Sequence, residues 1–140
     1  MADRSDKATA PSKRPIYFSD FLDTFDSHPV TGQLARVTNE NAVKQSIRNL
    51  VLTSFGERLY QPTIGGNVRK SLFEPIDAFT TDSLQESIKL TLFNNEPRIS
   101  SLDVQAIADP NNNLYTVNIF FTIFNSQAVL NTELILTRVR

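Results

Sequence analysis

The chain has 140 residues, enough for one compact domain and a short tail but not for two separate cores. Its 14 basic and 15 acidic residues give a formal net charge of -1, so no overall charge draws it to nucleic acid or to an acidic membrane. The absence of cysteine excludes disulfides and thiolate metal sites. No apolar stretch has the form of a signal peptide or reaches the ~18 residues of a membrane span. We therefore expect a soluble chain without a cofactor that recognises partners by shape and local pairing.

The first part of the chain divides into a tail and the start of a domain. Met1–Pro15 is rich in Ala, Ser, Lys, Asp and Pro and cannot bury enough surface to offset its ordering entropy, which predicts a flexible arm. Residues 16–140 are predicted to form the single domain. Aromatic residues follow at mixed spacing, and Gln33–Val37 is a candidate short strand.

Helical periodicity begins after this segment. Asn39 is a candidate N-cap, and apolar residues then recur at steps of three and four up to an expected stop at Phe55–Gly56. Gly65–Gly66 predicts a loop, and Asn67–Phe73 predicts a short helical turn cut off before Pro75.

A second long helix is predicted from Thr80 or Thr81 to Phe93. Asp82 lies favourably in its first turn, and a stripe at spacing four marks its buried face: Leu84, Ile88 and Leu92. Asn94–Asn95 and Pro97 end it.

The last third of the sequence is typical of a sheet. Alternation around Val104, a turn at Asp109–Asn113 and the β-rich run Leu114–Phe124 predict two strands, and Val129–Val139 predicts a third. One face of the middle strand is apolar: Tyr115, Val117, Ile119, Phe121 and Ile123. The fold class is therefore α+β, with two main helices packed on a small antiparallel three-stranded C-terminal sheet and a flexible N-terminal arm.

Candidate catalytic groups are few. His28 is the only histidine, which excludes a histidine-pair metal site, and its turn-like context favours a surface or capping role. Glu57, Glu74 and Glu96 lie at element boundaries, where glycosidases place paired acids. The alternative is that these acids pair locally, Glu57 with Arg58 and Glu96 with its neighbour two residues on.

The corner Glu96-Pro97-Arg98 lies between the second helix and the first sheet strand. Pro97 fixes its own φ and biases Glu96 towards an extended conformation, so opposite charges flank a rigid bend. Arg98 either braces this junction internally or donates a bidentate pair of hydrogen bonds to a neighbouring subunit.

Five motifs together resemble the gene-25-type baseplate wedge proteins of contractile phage tails, which have relatives in type VI secretion and phage-like injection machines. In order along the chain they are Lys44-Gln45-Ser46-Ile47-Arg48-Asn49-Leu50, Phe55-Gly56-Glu57-Arg58-Leu59-Tyr60-Gln61-Pro62, Gly65-Gly66-Asn67-Val68-Arg69, Leu72-Phe73-Glu74-Pro75 and Asn95-Glu96-Pro97-Arg98-Ile99. The resemblance extends over roughly Pro29 to Arg140, and its order and spacing are those of the family.

The resemblance implies a non-enzymatic structural subunit of the virion tail baseplate, assembled in the bacterial host cytoplasm. Its implied partners are the core bundle of the other baseplate wedge proteins, bound through Glu96, Pro97 and Arg98, and the tail sheath protein, whose assembly it initiates. A further partner near the tail tube is left open, and neither nucleic acid nor a membrane is implied. Some relatives have carried a lysozyme label, so the alternative function is a peptidoglycan-cleaving enzyme.

The terminal strand offers its own argument for the sheath contact. A strand of high β-propensity at a sheet edge leaves main-chain groups unpaired and suits strand addition by a partner. The alternative is a strand fully paired at the centre of its own sheet. The predicted sheath interface comprises Val129, Leu130, Asn131, Thr132, Glu133, Leu134, Ile135, Leu136, Thr137, Arg138 and Val139, with Arg138 and Arg140 as gatekeepers against indiscriminate pairing.

Overall fold

A computed structural model describes residues 15–124 and 126–137. The elements in chain order are β1 Ser19–Phe21, β2 Arg36–Thr38, α1 Asn39–Leu52, α2 Val68–Ser71, α3 Ala78–Asn95, β3 Ile99–Asp109, β4 Leu114–Ile123 and β5 Leu130–Thr137. The α+β prediction is confirmed: two main helices accompany an antiparallel sheet in the order β3-β4-β5. The predicted flexible arm lies, except for Pro15, outside the described residues.

Helix α1 packs Val43, Ile47 and Val51 into the core, as its periodicity predicts. Its ends differ from the prediction. Thr38 holds the N-cap position, because the Asn39 side chain is used instead to bind the preceding segment: its Oδ1 accepts from the Tyr17 backbone N–H at 2.9 Å.

The helix also stops at Leu52 rather than at Phe55–Gly56. The chain turns away here because Ser54 forms a parallel bridge with Gly66, whose N–H donates to the Thr53 carbonyl at 3.0 Å. Gly65 is close to the same backbone: a Cβ there would lie 2.6 Å from the Thr53 oxygen. The loop that the two glycines predict is therefore held against the end of α1.

Helix α3 is longer than predicted, beginning at Ala78. Its cap is Asp77, whose Oδ1 accepts from the Thr80 backbone N–H at 2.7 Å, an arrangement that satisfies one of the free donors of the first turn. Hydrogen bonds donated by Thr80 lower the pKa of Asp77. The predicted stripe Leu84, Ile88 and Leu92 is fully buried.

The sheet places its central strand in the core. All five side chains on the apolar face of β4 are buried, and β5 contributes Leu134 and Leu136 to the same face. β4 pairs with β5 in unbroken register from Leu114↔Thr137 to Phe121↔Leu130. The β3 pairing instead contains an irregularity between Ile99 and Ser101.

A small two-stranded sheet, β1 with β2, precedes the first helix. The strand expected at Gln33–Val37 is displaced to Arg36–Thr38, and Leu34 forms only an isolated bridge with Ser27. In the described part of the chain, no helix combines the length and the apolar character needed to cross a membrane.

The cap of α3 gives a first test of these assignments. Asp77→Ala should lower the free energy of unfolding by about 1 kcal/mol, because the Thr80 N–H loses its acceptor. Chemical denaturation measures the change. The control is Asp82→Ala, which removes an exposed acid further along the same helix without removing a backbone cap; equal losses in both variants would refute the capping role.

Candidate functional site

The corner between α3 and β3 is built around a buried carboxylate. Glu96 takes the C-cap position of α3 and is only 3% exposed. The Arg98 guanidinium grips it with two hydrogen bonds, Nε to Oε1 at 2.7 Å and Nη2 to Oε2 at 2.8 Å. Because Pro97 separates the two residues, the side chains meet across a fixed bend. The local Glu96–Arg98 pairing is therefore confirmed.

Two further elements join this pair. The Ser46 hydroxyl of α1 donates to Glu96 Oε2, and Arg98 Nη1 donates to Asp20 Oδ2 of β1 at 3.0 Å. The guanidinium carbon also lies 5.7 Å from the centre of the Phe18 ring, within the range of a cation–π contact. One ion pair thus connects both helices, the small sheet and the first strand of the main sheet.

The electrostatics of the corner favour its charged form. Burial alone would raise the pKa of Glu96, but the hydrogen bonds from Arg98 and Ser46 and the charge of Arg98 outweigh it, so the pKa is lowered. Hydrogen bonding to Glu96 is the main cause that raises the pKa of Arg98. Both groups are fully ionised at neutral pH.

Arg98 also has N–H groups left over that could bind a partner. A guanidinium carries five N–H donors, and three of them are used by Glu96 and Asp20. The Arg98 side chain is 21% exposed and that of Asp20 is 40% exposed. The internal brace is therefore present, and the outer rim of the same group remains open to solvent.

The second predicted surface is the terminal strand. β5 lies at one end of the strand order, so the described strand Leu130–Thr137 pairs on one side only, and the alternative of a central strand is wrong. Thr132, Leu134 and Leu136 face the core, whereas Glu133 and Ile135 are exposed. Val129 precedes the strand and is 69% exposed. Arg138, Val139 and Arg140 lie outside the described residues.

The other candidate acids do not share the setting of Glu96. Glu57 accepts from the Ser54 backbone N–H at 2.9 Å, while Arg58 donates to Gln61, so Glu57 serves the loop rather than the expected Arg58 pair. Glu74 is exposed. In the described ranges, no group of three or more side chains is arranged to hold a metal ion.

His28 has the capping role that its turn-like context predicts. Its Nδ1 accepts from the backbone N–H groups of Val30 at 3.2 Å and Thr31 at 3.4 Å. This arrangement uses the ring nitrogen to close a local turn.

Sequence reasoning missed three participants in the corner: Phe18, Asp20 and Ser46. Asp20 lies among aromatic residues with no spacing that relates it to Arg98, 78 positions away. Ser46 could have been noticed from its position on α1. It lies beside the buried apolar stripe, on the opposite flank from Lys44 and Arg48.

Comparison with known proteins agrees with this architecture. Residues 37–128 match the sequence profile of the family described as baseplate wedge protein gp25. The baseplate wedge protein gp25 of Enterobacteria phage T4 is 27% identical over 93 residues, which cover 66% of this chain and 70% of that protein.

Solved structures share the fold at lower identity. A Geobacter sulfurreducens protein that carries the provisional name of a tail lysozyme has a TM-score of 0.65 and 24% identity, covering 72% of this chain and 92% of that one. A chain of the anti-feeding prophage baseplate has a TM-score of 0.60 and 21% identity, covering 88% and 87%. A chain of the type VI secretion baseplate complex has a TM-score of 0.55 and 15% identity, covering 69% and 93%.

These findings define a class first: a small α+β structural protein of contractile tail baseplates. Because the matched profile covers well over half of the sequence, the chain belongs to the baseplate wedge protein gp25 family. The match ends at residue 128, short of β5, so the family assignment rests on the helices, the corner and the first two strands of the main sheet.

The buried pair gives a prediction for stability. Glu96→Gln should lower the free energy of unfolding by on the order of 3 kcal/mol, because Arg98 loses the charge of its buried partner and keeps only the more exposed Asp20. Urea denaturation at pH 7 measures this. Glu86→Gln makes the same chemical change at an exposed position and is the control. Unfolding of Glu96→Gln at the wild-type midpoint would contradict the brace.

The sign of the pH dependence follows from the lowered pKa of Glu96. Its pKa is below the ordinary value of 4.5 in the folded chain, so the unfolded chain takes up the proton first as pH falls. The contribution of Glu96 is complete above about pH 4.5 and is lost progressively below it. Glu96→Gln should therefore lose less stability than wild type between pH 5 and the folded-state pKa.

Proposed function

We propose that this chain is a structural wedge subunit that binds the core bundle of the other wedge proteins and starts tail-sheath assembly by presenting β5. The observation that carries the proposal is the outer edge of β5, whose eight residues keep an unbroken register with β4. A straight edge with free main-chain donors and acceptors is the surface that strand addition uses. Val129, Arg138 and Val139 extend the proposed sheath interface beyond the strand itself.

The asymmetry of the sheet supports β5 over the opposite edge. β3 also pairs on one side only, but its ladder shifts between Ile99 and Ser101. Such irregularities twist an edge and hinder the addition of another strand. The first residues of β3 also adjoin the tight corner at Pro97, which leaves less room for a partner backbone.

The wedge contact is proposed at Glu96, Pro97 and Arg98. Glu96 is too buried to meet a partner directly, so its part is to hold Arg98 in place. Three hydrogen bonds to Glu96 and Asp20 hold the guanidinium in place, and its two remaining N–H groups are left for a partner. A partner that supplies carbonyl or carboxylate oxygens at this rim would meet a donor that needs little further ordering.

The name of the Geobacter sulfurreducens relative raises peptidoglycan cleavage as a second candidate. A peptidoglycan-cleaving enzyme needs a general acid with a raised pKa. The pKa of Glu96 is instead lowered, and its carboxylate oxygens accept hydrogen bonds from Arg98 and Ser46. The observations therefore favour the structural role. We expect no clearing of a cell-wall suspension by the purified chain; clearing that disappears in Glu57→Gln or Glu74→Gln would establish the enzyme instead.

Sheath initiation is tested by closing the β5 edge within the chain. Truncation at Ala128 would expose the edge of β4 and remove Leu134 and Leu136 from the core. We instead extend the C-terminus with an Asn-Gly turn and an eight-residue strand designed to pair with β5. The extended chain should no longer retain the sheath protein in co-purification, because its edge is occupied. It should still retain the wedge core proteins.

The matched control carries an eight-residue Gly/Ser extension after the same turn, which adds length without a strand. It should bind the sheath protein as wild type does, and cooperative thermal unfolding should show that both extended chains are folded. Sheath binding that survives the strand extension would contradict templating by β5. Arg98→Lys tests the wedge contact separately from the sheath contact. Lysine keeps the positive charge but cannot donate two parallel hydrogen bonds, so the variant should retain less of the wedge proteins and as much sheath protein as wild type.

A further inference from the structure

A cleft of about 380 Å³ lies between α1 and the outer edge of β5. One helix face forms its roof, including Asn41, Lys44 and Arg48, and Thr132 lies on the β5 side. Any strand that pairs with β5 would run beneath this face. The side chains of the added strand that point towards the helices would therefore enter the cleft.

The floor of the cleft contains an unused hydrogen-bonding group. Thr132 is 8% exposed, and its hydroxyl oxygen has no hydrogen-bond partner within residues 15–124 and 126–137. Buried hydroxyls are ordinarily paired, since an unpaired one loses its bond to water without a replacement. A residue opposite Thr132 on an added strand would lie on the same face, about 4.5–5.5 Å away between Cβ atoms.

The roof of the cleft carries unpaired positive charge. Lys44 and Arg48 are one helical turn apart, and neither forms an ion pair with another described residue. Lys44 is half-buried, which raises the gain from a nearby opposite charge. Two acids also line the cleft, Asp23 just after β1 and Glu133 on the exposed face of β5.

We propose that this cleft selects the strand that joins β5 by requiring an acidic side chain opposite Thr132. The carboxylate would accept the Thr132 hydroxyl hydrogen and meet the charges of Lys44 and Arg48. Main-chain pairing alone is indifferent to sequence, so the cleft supplies the specificity that the bare edge lacks. The inference rests on the proposed function and names the chemistry of its partner strand.

The occupant is a strand of the partner protein rather than the start of this chain. Residues 1–14 contain four basic and two acidic residues, so this segment carries a net positive charge towards a roof that is itself positive. Like charges brought together in this way disfavour docking. An acidic strand from the sheath protein has the complementary charge.

The test measures the affinity of the full chain for its cognate sheath protein. The double charge reversal Lys44→Glu with Arg48→Glu should weaken binding at least about tenfold, because the carboxylate then faces like charge. The control reverses Lys89 and Arg69, two exposed cations outside the cleft, and should leave affinity unchanged. A sheath protein in which an acidic residue of the binding strand is replaced by Lys should regain affinity only for the doubly reversed chain.

A neutral double variant adds a second measurement, the salt dependence of binding, which would not change if Lys44 and Arg48 had only a structural role. Lys44→Gln with Arg48→Gln should bind more weakly than wild type and lose less affinity between low and high salt, because screening then acts on fewer charges. Thermal unfolding of the isolated chain should stay the same in all variants. A drop in thermal stability instead would mean that Lys44 or Arg48 stabilises the isolated chain, which overturns the inference.

The two proposals fail differently. If the strand extension abolishes sheath binding but charge reversal does not change it, β5 is the template and the charge selection is wrong. If the strand extension leaves sheath binding intact, templating by β5 is wrong irrespective of the cleft. If both abolish it and the Lys89/Arg69 control does not, both proposals are supported.

Discussion

The ion pair between Glu96 and Arg98 is the interaction on which the arrangement of the domain depends. A carboxylate that is almost fully buried at the end of a helix is costly unless opposite charge and hydrogen bonds compensate it. Arg98 and Ser46 provide that compensation, and Asp20 of β1 in turn pairs with Arg98. The direction in which the chain leaves α3, and with it the position of the whole sheet, is therefore tied to the first helix and to the segment before it.

The sheet itself is asymmetric in a way that matters for assembly. The middle strand is buried on its core face along its whole length, while β3 is irregular at its start and β5 is regular throughout. A small sheet with two equivalent free edges would pair indiscriminately. Here the edge that remains regular is also the one that lies beside a charged helix face, so geometry and charge distinguish it from the other.

The sequence predicts the elements well where a single periodicity governs them. The stripe on α3 and the alternating face of β4 both follow from patterns within one segment. The edge position of β5 does not, and the sequence left a central position open as the alternative. The start of α1 was less accessible, because the Asn39 side chain binds a segment that only the folded chain brings near. The start of α3 was wrong for a local reason, since the sequence prediction missed the bond from the Thr80 N–H to Asp77.

In the corner, too, the sequence reveals the local contacts but not the long-range ones. Local spacing identifies Glu96 and Arg98 as a pair, since Pro97 holds them two residues apart across a bend. Nothing local identifies Asp20, which reaches Arg98 through the pairing of β1 with β2, or Ser46, whose role depends on how the two helices cross. Long-range polar contacts of this kind carry no periodic signal in the sequence.

The matched family region, residues 37–128, contains Glu96, Arg98 and Ser46 but neither Asp20 nor β5. The second carboxylate partner of the guanidinium and the outer strand of the sheet thus lie in the segments that flank the matched region. A substitution at Asp20 would change how firmly Arg98 is held, and one on the outer edge of β5 would change the surface that is offered for pairing. The packing of the helical core between these two segments would stay the same.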